Sequence, residues 1–133
     1  MVLSGDPTGR GEEAGTVAVL ISPHRVRLVL AGEVDASTEA ELSEAVTEVL
    51  GLGLPVDIDV RNVTFMDSSA ISGIARLSVQ LGHRPRLIAP PESVRFLLSV
   101  TRVGDDVEIV EDDPGFEQDP SHHATAEPQS EAL

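Results

Sequence analysis

Five residues, Val56-Asp57-Ile58-Asp59-Val60, alternate apolar and acidic side chains, and a short connection later Ile71, Ile74, Ala75, Ser78 and Leu81 recur at helical spacing. A period of two is that of a strand and a period near 3.6 that of a helix, so a strand hands over to a helix close to Asp67. Asp57 and Asp59 would project from the same side of that strand. An inner strand covered by helices on both sides is continuously apolar, so the alternation predicts a sheet with helices mainly on one face. Arg25 and Arg27 alternate with apolar residues in the same way, which predicts an Arg/Asp ladder across the more open face. At the handover stand Asp67, Ser68 and Ser69, whose short oxygen-bearing side chains cap the unpaired N–H groups of a first helical turn. The amino end of a helix also carries about half a positive charge, so a phosphate on a serine there would meet donors aimed at it.

The rest of the chain falls into place around this unit. Val17 to Ile21 and Val26 to Leu30 are two short apolar runs joined by Ser22-Pro23-His24-Arg25, which predicts an antiparallel hairpin with a solvated His24 in its turn. Thr38 followed by Glu41 fits a capping box, opening a helix from about Glu39 to Leu50 with Leu42, Ala45, Val46, Val49 and Leu50 as its apolar stripe. Gly51 to Pro55 ends it. After the Ser68 helix, Arg86 to Ala89 reads as a fourth strand, Pro90-Pro91-Glu92 opens a third helix, and Val107 to Val110 reads as a fifth strand. Phe96 is expected in the core or at its margin. Strand, helix, strand units cross over right-handedly, so strands two to five should be parallel. The fold class is therefore α/β, a mixed, mostly parallel sheet of about five strands. Residues 1–15 and the acidic residues 112–133 lack periodicity and are expected to be disordered segments flanking one domain over residues 16–111. His122-His123 in the last segment makes a poor metal site.

Two stretches, Phe65-Met66-Asp67-Ser68-Ser69 and Ala31-Gly32-Glu33-Val34-Asp35, resemble the bacterial anti-sigma-factor antagonists, single-domain members of the STAS family. The resemblance spans about Thr16 to Glu111. Members often carry glycine and leucine after the serines, where this chain has Ala70-Ile71. It implies a STAS-like fold and a regulatory binding protein, not an enzyme, that needs no cofactor. Unphosphorylated, such a protein binds an anti-sigma factor with serine kinase activity and releases a sigma factor; phosphorylation at the serine after the aspartate, here Ser68, switches it off, and a metal-dependent serine phosphatase restores it. Asp35, Asp67, Ser68 and Ser69 are the implied partner-binding residues. Strand-to-helix loops on one edge of an α/β sheet converge, which independently puts the loops at Asp35 and Asp67 on one surface. The alternative within the family is an interaction subunit of a membrane transport complex or a stress-signalling assembly.

Composition narrows the classes further. The net charge is −14 and there is neither Trp nor Tyr, which argues against direct nucleic-acid binding and for a partner with a basic face. All nine basic residues are arginine, and without lysine a P-loop or a Schiff base is impossible. A phosphate-accepting receiver with Asp67 as acceptor would also need a lysine. A serine hydrolase using Ser68 is disfavoured, because the serine lies outside a G-x-S-x-G elbow and no histidine accompanies it. The absence of cysteine excludes disulfides, and no apolar run reaches the length of a membrane span, so a cytoplasmic protein away from the membrane is expected.

Overall fold

The computed structural model of the protein describes residues 14–116. The elements run β1 (Thr16–Ile21), β2 (Val26–Val34), a 3-10 turn (Ala36–Thr38), α1 (Glu39–Leu52), β3 (Val56–Met66), α2 (Ser68–Leu81), β4 (Arg86–Ile88), α3 (Glu92–Thr101), a second 3-10 turn (Val103–Asp106) and β5 (Glu108–Val110). The five strands lie in sequence order in one sheet. β1 and β2 form the antiparallel hairpin, and β2 through β5 are parallel. Both follow from the expected chain path. In the hairpin turn the Ser22 hydroxyl accepts from the N–H groups of His24 and Arg25 and donates to the Arg25 carbonyl, satisfying groups the short loop would otherwise strand.

One side of the sheet carries the apolar core. Val26, Leu28 and Leu30 of β2 and Val56, Ile58 and Val60 of β3 are buried with Leu42, Val46 and Val49 of α1, Ile71, Ile74 and Leu77 of α2, and Val94 and Leu98 of α3. At Gly73 a Cβ would stand 2.9 Å from a Leu42 methyl, so α1 and α2 meet where the sequence supplies no side chain. Gly53 and Gly82 end α1 and α2 in the left-handed region, with φ of 67° and 78°.

The other side has no helix, and polar residues occupy it in register. Arg27 stands opposite Asp57, Asp57 opposite Arg86, and Arg86 opposite Glu108, so charges alternate in sign across four strands. The expected ladder is present and goes further than Arg25 and Arg27. Asp57 is fully buried, held by Arg86 through two bonds of 2.8 and 3.0 Å, by Arg27 at 3.2 Å and by Arg25 at 2.9 Å. Burial pushes the Asp57 carboxyl up, yet the hydrogen bonds from Arg86 and Arg27 and the charge of Arg25 outweigh it and leave its pKa below the usual value.

Four local expectations differ from the structure. β3 does not stop at Val60 but continues to Met66, so no loop intervenes before α2. The capping box at Thr38 does not form, because Asp35 caps a 3-10 turn ahead of α1 and the Thr38 hydroxyl donates to the Asp35 carbonyl instead. Phe96 is 66% exposed on α3, whose inward face is filled by Val94 and Leu98. Asp113, assigned to the acidic tail, is bonded to Arg27 and Arg61 on the open sheet face. The remaining parts of both flanking segments, residues 1–13 and 117–133 with His122-His123, lie outside the described residues.

Candidate functional site

The carboxyl ends of β2 and β3 lie side by side. Val34 pairs with Met66, and the Asp67 N–H donates to the Val34 carbonyl at 3.3 Å. The next residue on each strand is an aspartate in extended backbone, Asp35 and Asp67, and each turns its side chain over the start of a helical segment. Asp67 Oδ1 accepts from the N–H groups of Ser69 (3.0 Å) and Ala70 (3.3 Å) and from the Ser69 hydroxyl (2.7 Å). Asp35 Oδ1 accepts from the N–H of Ser37 (3.0 Å) and from its hydroxyl (2.6 Å). The same Asp-x-Ser cap thus occurs twice on adjacent parallel strands. Sequence reasoning missed Ser37, although the repetition of Asp35-Ala36-Ser37 as Asp67-Ser68-Ser69 was there to be read.

This geometry separates the two serines that the sequence left together. The Ser69 hydroxyl is committed to Asp67. Ser68, the first residue of α2, is exposed, and its hydroxyl makes no hydrogen bond among the described residues. The expectation that free helical donors await a phosphate there needs revision: Asp67 already takes the N–H groups of Ser69 and Ala70, and its carbonyl takes that of Ile71. A phosphate on Ser68 would keep the favourable helix dipole but sit beside a carboxylate.

All four expected partner-binding residues, Asp35, Asp67, Ser68 and Ser69, therefore come together at one end of the sheet. Two further features adjoin them. Phe65, half exposed at the end of β3, is an aromatic surface whose exposure the sequence did not reveal, since Val63, Met66 and Phe65 look alike as apolar strand residues. A cleft of about 170 Å³ between α1 and α2 is lined by Glu39, Leu42, Ser43, Ser69, Ser72 and Arg76, and Arg76 bridges the helices by donating to the hydroxyls of Ser43 and Thr47. His24 and His83 lie at the opposite end of the sheet, in the β1–β2 turn and after α2, so among the described residues no histidine can serve Ser68 as a base. Nor, among the described residues, do three or more His, Cys, Asp or Glu side chains gather to hold a metal ion.

A family model described as "Mlab, STAS domain" matches residues 17–111, well over half of the chain. The chain belongs to the STAS family. Solved structures give the same answer for the fold of this STAS domain. A Thermotoga maritima protein assigned as an anti-sigma factor antagonist superposes with a TM-score of 0.58 at 19% identity, covering 70% of this chain and 84% of that one. The anti-sigma factor antagonist SpoIIAA in its unphosphorylated form gives 0.58 at 20% identity, covering 73% and 88%. The phosphorylated form of the Bacillus cell-fate determinant SpoIIAA gives 0.55 at 19%, covering 73% and 91%. No curated protein sequence matches the chain. At such identities these likenesses concern the fold.

Proposed function

We propose that this STAS domain is an anti-sigma-factor antagonist switched by phosphorylation of Ser68. Unphosphorylated, it binds an anti-sigma factor with serine kinase activity through Asp35, Asp67, Ser68 and Ser69, and so releases a sigma factor. The observation that carries the proposal is the division of labour at the α2 cap: Ser69 is tied to Asp67, while Ser68 offers an exposed, uncommitted hydroxyl. The kinase and its ATP belong to the partner. The Ser68 oxygen attacks the γ-phosphorus, the bond to the β-phosphate oxygen breaks, ADP leaves, and the hydroxyl proton passes to a base on the kinase. A metal-dependent serine phosphatase reverses the state. That SpoIIAA has been solved both unphosphorylated and phosphorylated supports a fold of this kind tolerating the modification. The proposed setting is cytoplasmic; no helix among the described residues is long and apolar enough to cross a membrane.

The test is incubation of the protein with its cognate kinase and ATP, followed by site mapping. Phosphate on Ser68 alone is the expected result; phosphate on Ser69 or on Ser130, with Ser68 untouched, overturns the assignment. A second reading, an interaction subunit of a membrane transport complex or a stress-signalling assembly, is favoured by the "Mlab" description of the matching family model. A pull-down from native cytosol separates the two, since the first predicts an ATP-binding kinase as the main captured protein and the second a transporter ATPase.

A further inference from the structure

The helix-free face of the sheet has no part in the switch, yet it holds the densest charge arrangement described in the protein. In a chain of net charge −14, Arg25, Arg27, Arg61 and Arg86 converge there on only two sheet carboxylates in contact with them, Asp57 and Asp59. Four positive charges against two leave two in excess, which Glu108 beside Arg86 offsets in part. The balance comes from outside the sheet. Past the end of β5 the chain returns over this face, and the Asp113 carboxylate accepts from both Arg27 Nη atoms (3.1 and 2.9 Å) and from Arg61 Nη2 (2.9 Å). The Gly115 N–H donates to Asp113 at 2.8 Å, closing a turn that brings the Phe116 ring to 4.8 Å from the Arg27 guanidinium carbon.

Arg27 is 4% exposed, and its Nε is buried with no acceptor among the described residues, so this guanidinium is fixed in place by the carboxylates its Nη atoms grip. A cleft of about 440 Å³ lined by Ser22, His24, Arg25, Pro114, Gly115 and Phe116 runs alongside the segment. The face thus reads two chemical signs in a fixed relation, a carboxylate gripped by a two-pronged guanidinium and an aromatic ring stacked on that same guanidinium. Among the described residues no strand pairing ties Asp113–Phe116 down; side chains and one turn hold it, which is how a removable ligand is held.

We propose that the open sheet face is a recognition surface for a short peptide segment of a partner protein bearing a carboxylate followed closely by an aromatic ring, and that Asp113–Phe116 occupies it within the chain until such a segment displaces it. A tethered occupant competes at a high effective concentration, so the untouched protein should bind such a peptide poorly.

The test uses the full chain and a fluorescent synthetic peptide corresponding to residues 111–118. Asp113→Asn combined with Phe116→Ala should raise peptide affinity at least tenfold over the unaltered protein, and the gain should vanish when the peptide carries the same two changes. Adding Arg61→Ala, at a half-exposed position, should weaken binding by a similar factor. Failure of the double variant to bind, or equal binding by the unaltered protein, overturns the proposal. So does dimerisation of the variant in place of peptide binding, or full competition by inorganic phosphate, which would make the face a general anion site. Should the double variant not fold, Phe116→Ala alone, which keeps the Asp113 ion pairs, must show a smaller gain in peptide affinity; no gain overturns the proposal equally.

Discussion

At the Ser68 hydroxyl the whole proposed switch reduces to one added group. Phosphate brings about −1.5 to −2 charges to a position beside Asp67, where the helix dipole favours it and the neighbouring carboxylate opposes it. These effects act in opposite senses, so phosphorylation should move the melting temperature little. Against a partner shaped for a neutral hydroxyl, burying that charge costs several kcal/mol, on the order of a hundredfold or more in affinity. Ser68→Ala should bind the kinase partner and resist phosphorylation, whereas Ser68→Glu should fold and lose binding; titration calorimetry with the purified partner measures both. Ser69→Ala should remain a substrate, modified more slowly because Asp67 keeps its two backbone donors but loses the hydroxyl that helps orient it. Asp67→Ala removes the cap outright and should cost about 1 kcal/mol in chemical denaturation. That Asp35, Asp67, Ser68 and Ser69 come together at one end of the sheet was legible in the sequence. Which serine is free was not, because it depends on a side-chain hydrogen bond across two residues that both serines could in principle make.

Among the elements, the helices and strands followed from periodicity, and the misses share one cause: a local pattern was outvoted by a neighbour. β3 runs on through Arg61, Asn62 and Thr64, where exposure on both sides erases the alternation, because β2 beside it supplies ladder partners as far as Val34. Thr38 loses its cap role to Asp35, and Phe96 is left outside because Val94 and Leu98 already fill the space beneath α3. The alternation at Asp57 and Asp59 was read correctly as a helix-free face, but its burial was invisible, since the residues that cover it come from β4 and from beyond β5. That face should set the acid stability. Asp57 and Asp113 both have pKa values held below the ordinary carboxylate value, Asp57 by its arginines against the effect of burial, and Asp113 first by the hydrogen bond from Arg27 and then by the Gly115 N–H. A carboxyl with a lowered folded-state pKa stabilises fully above its unfolded value of 3.8 and loses that stabilisation as pH falls through the folded value. Urea midpoints should therefore be flat from neutrality to about pH 5 and drop steeply below about pH 4. Asp57→Asn should be strongly destabilising already at pH 7, by about 3–5 kcal/mol, because Arg25, Arg27 and Arg86 lose their shared anion. An acid limb unchanged by that substitution would show that other carboxylates govern it.

Over the whole molecule, charge and shape separate into different tasks. The net charge of −14 is spread over residues 16–111 and the segments flanking them, with no basic residue after Arg102. The surface at Asp35 and Asp67, by contrast, is made of caps whose carboxylates are already engaged by N–H groups and hydroxyls. A field of that size draws a basic partner from a distance, but its reach is the Debye length, about 10 Å at 0.1 M salt. In the proposed complex the exposed Ser68 and Phe65 and the cleft beside Ser69 would be contacts of shape and short-range polarity, which dissolved salt barely screens. Raising ionic strength should thus slow association with the kinase partner by about tenfold or more while changing dissociation by less than about twofold. Stopped-flow association and chase-dissociation across a salt series measure the two rates separately. A dissociation rate that climbs as steeply as association falls would mean that ion pairs hold the complex, and would move the binding surface from the Ser68 end of the sheet to the acidic face of α1, where Glu41, Glu44 and Glu48 lie exposed.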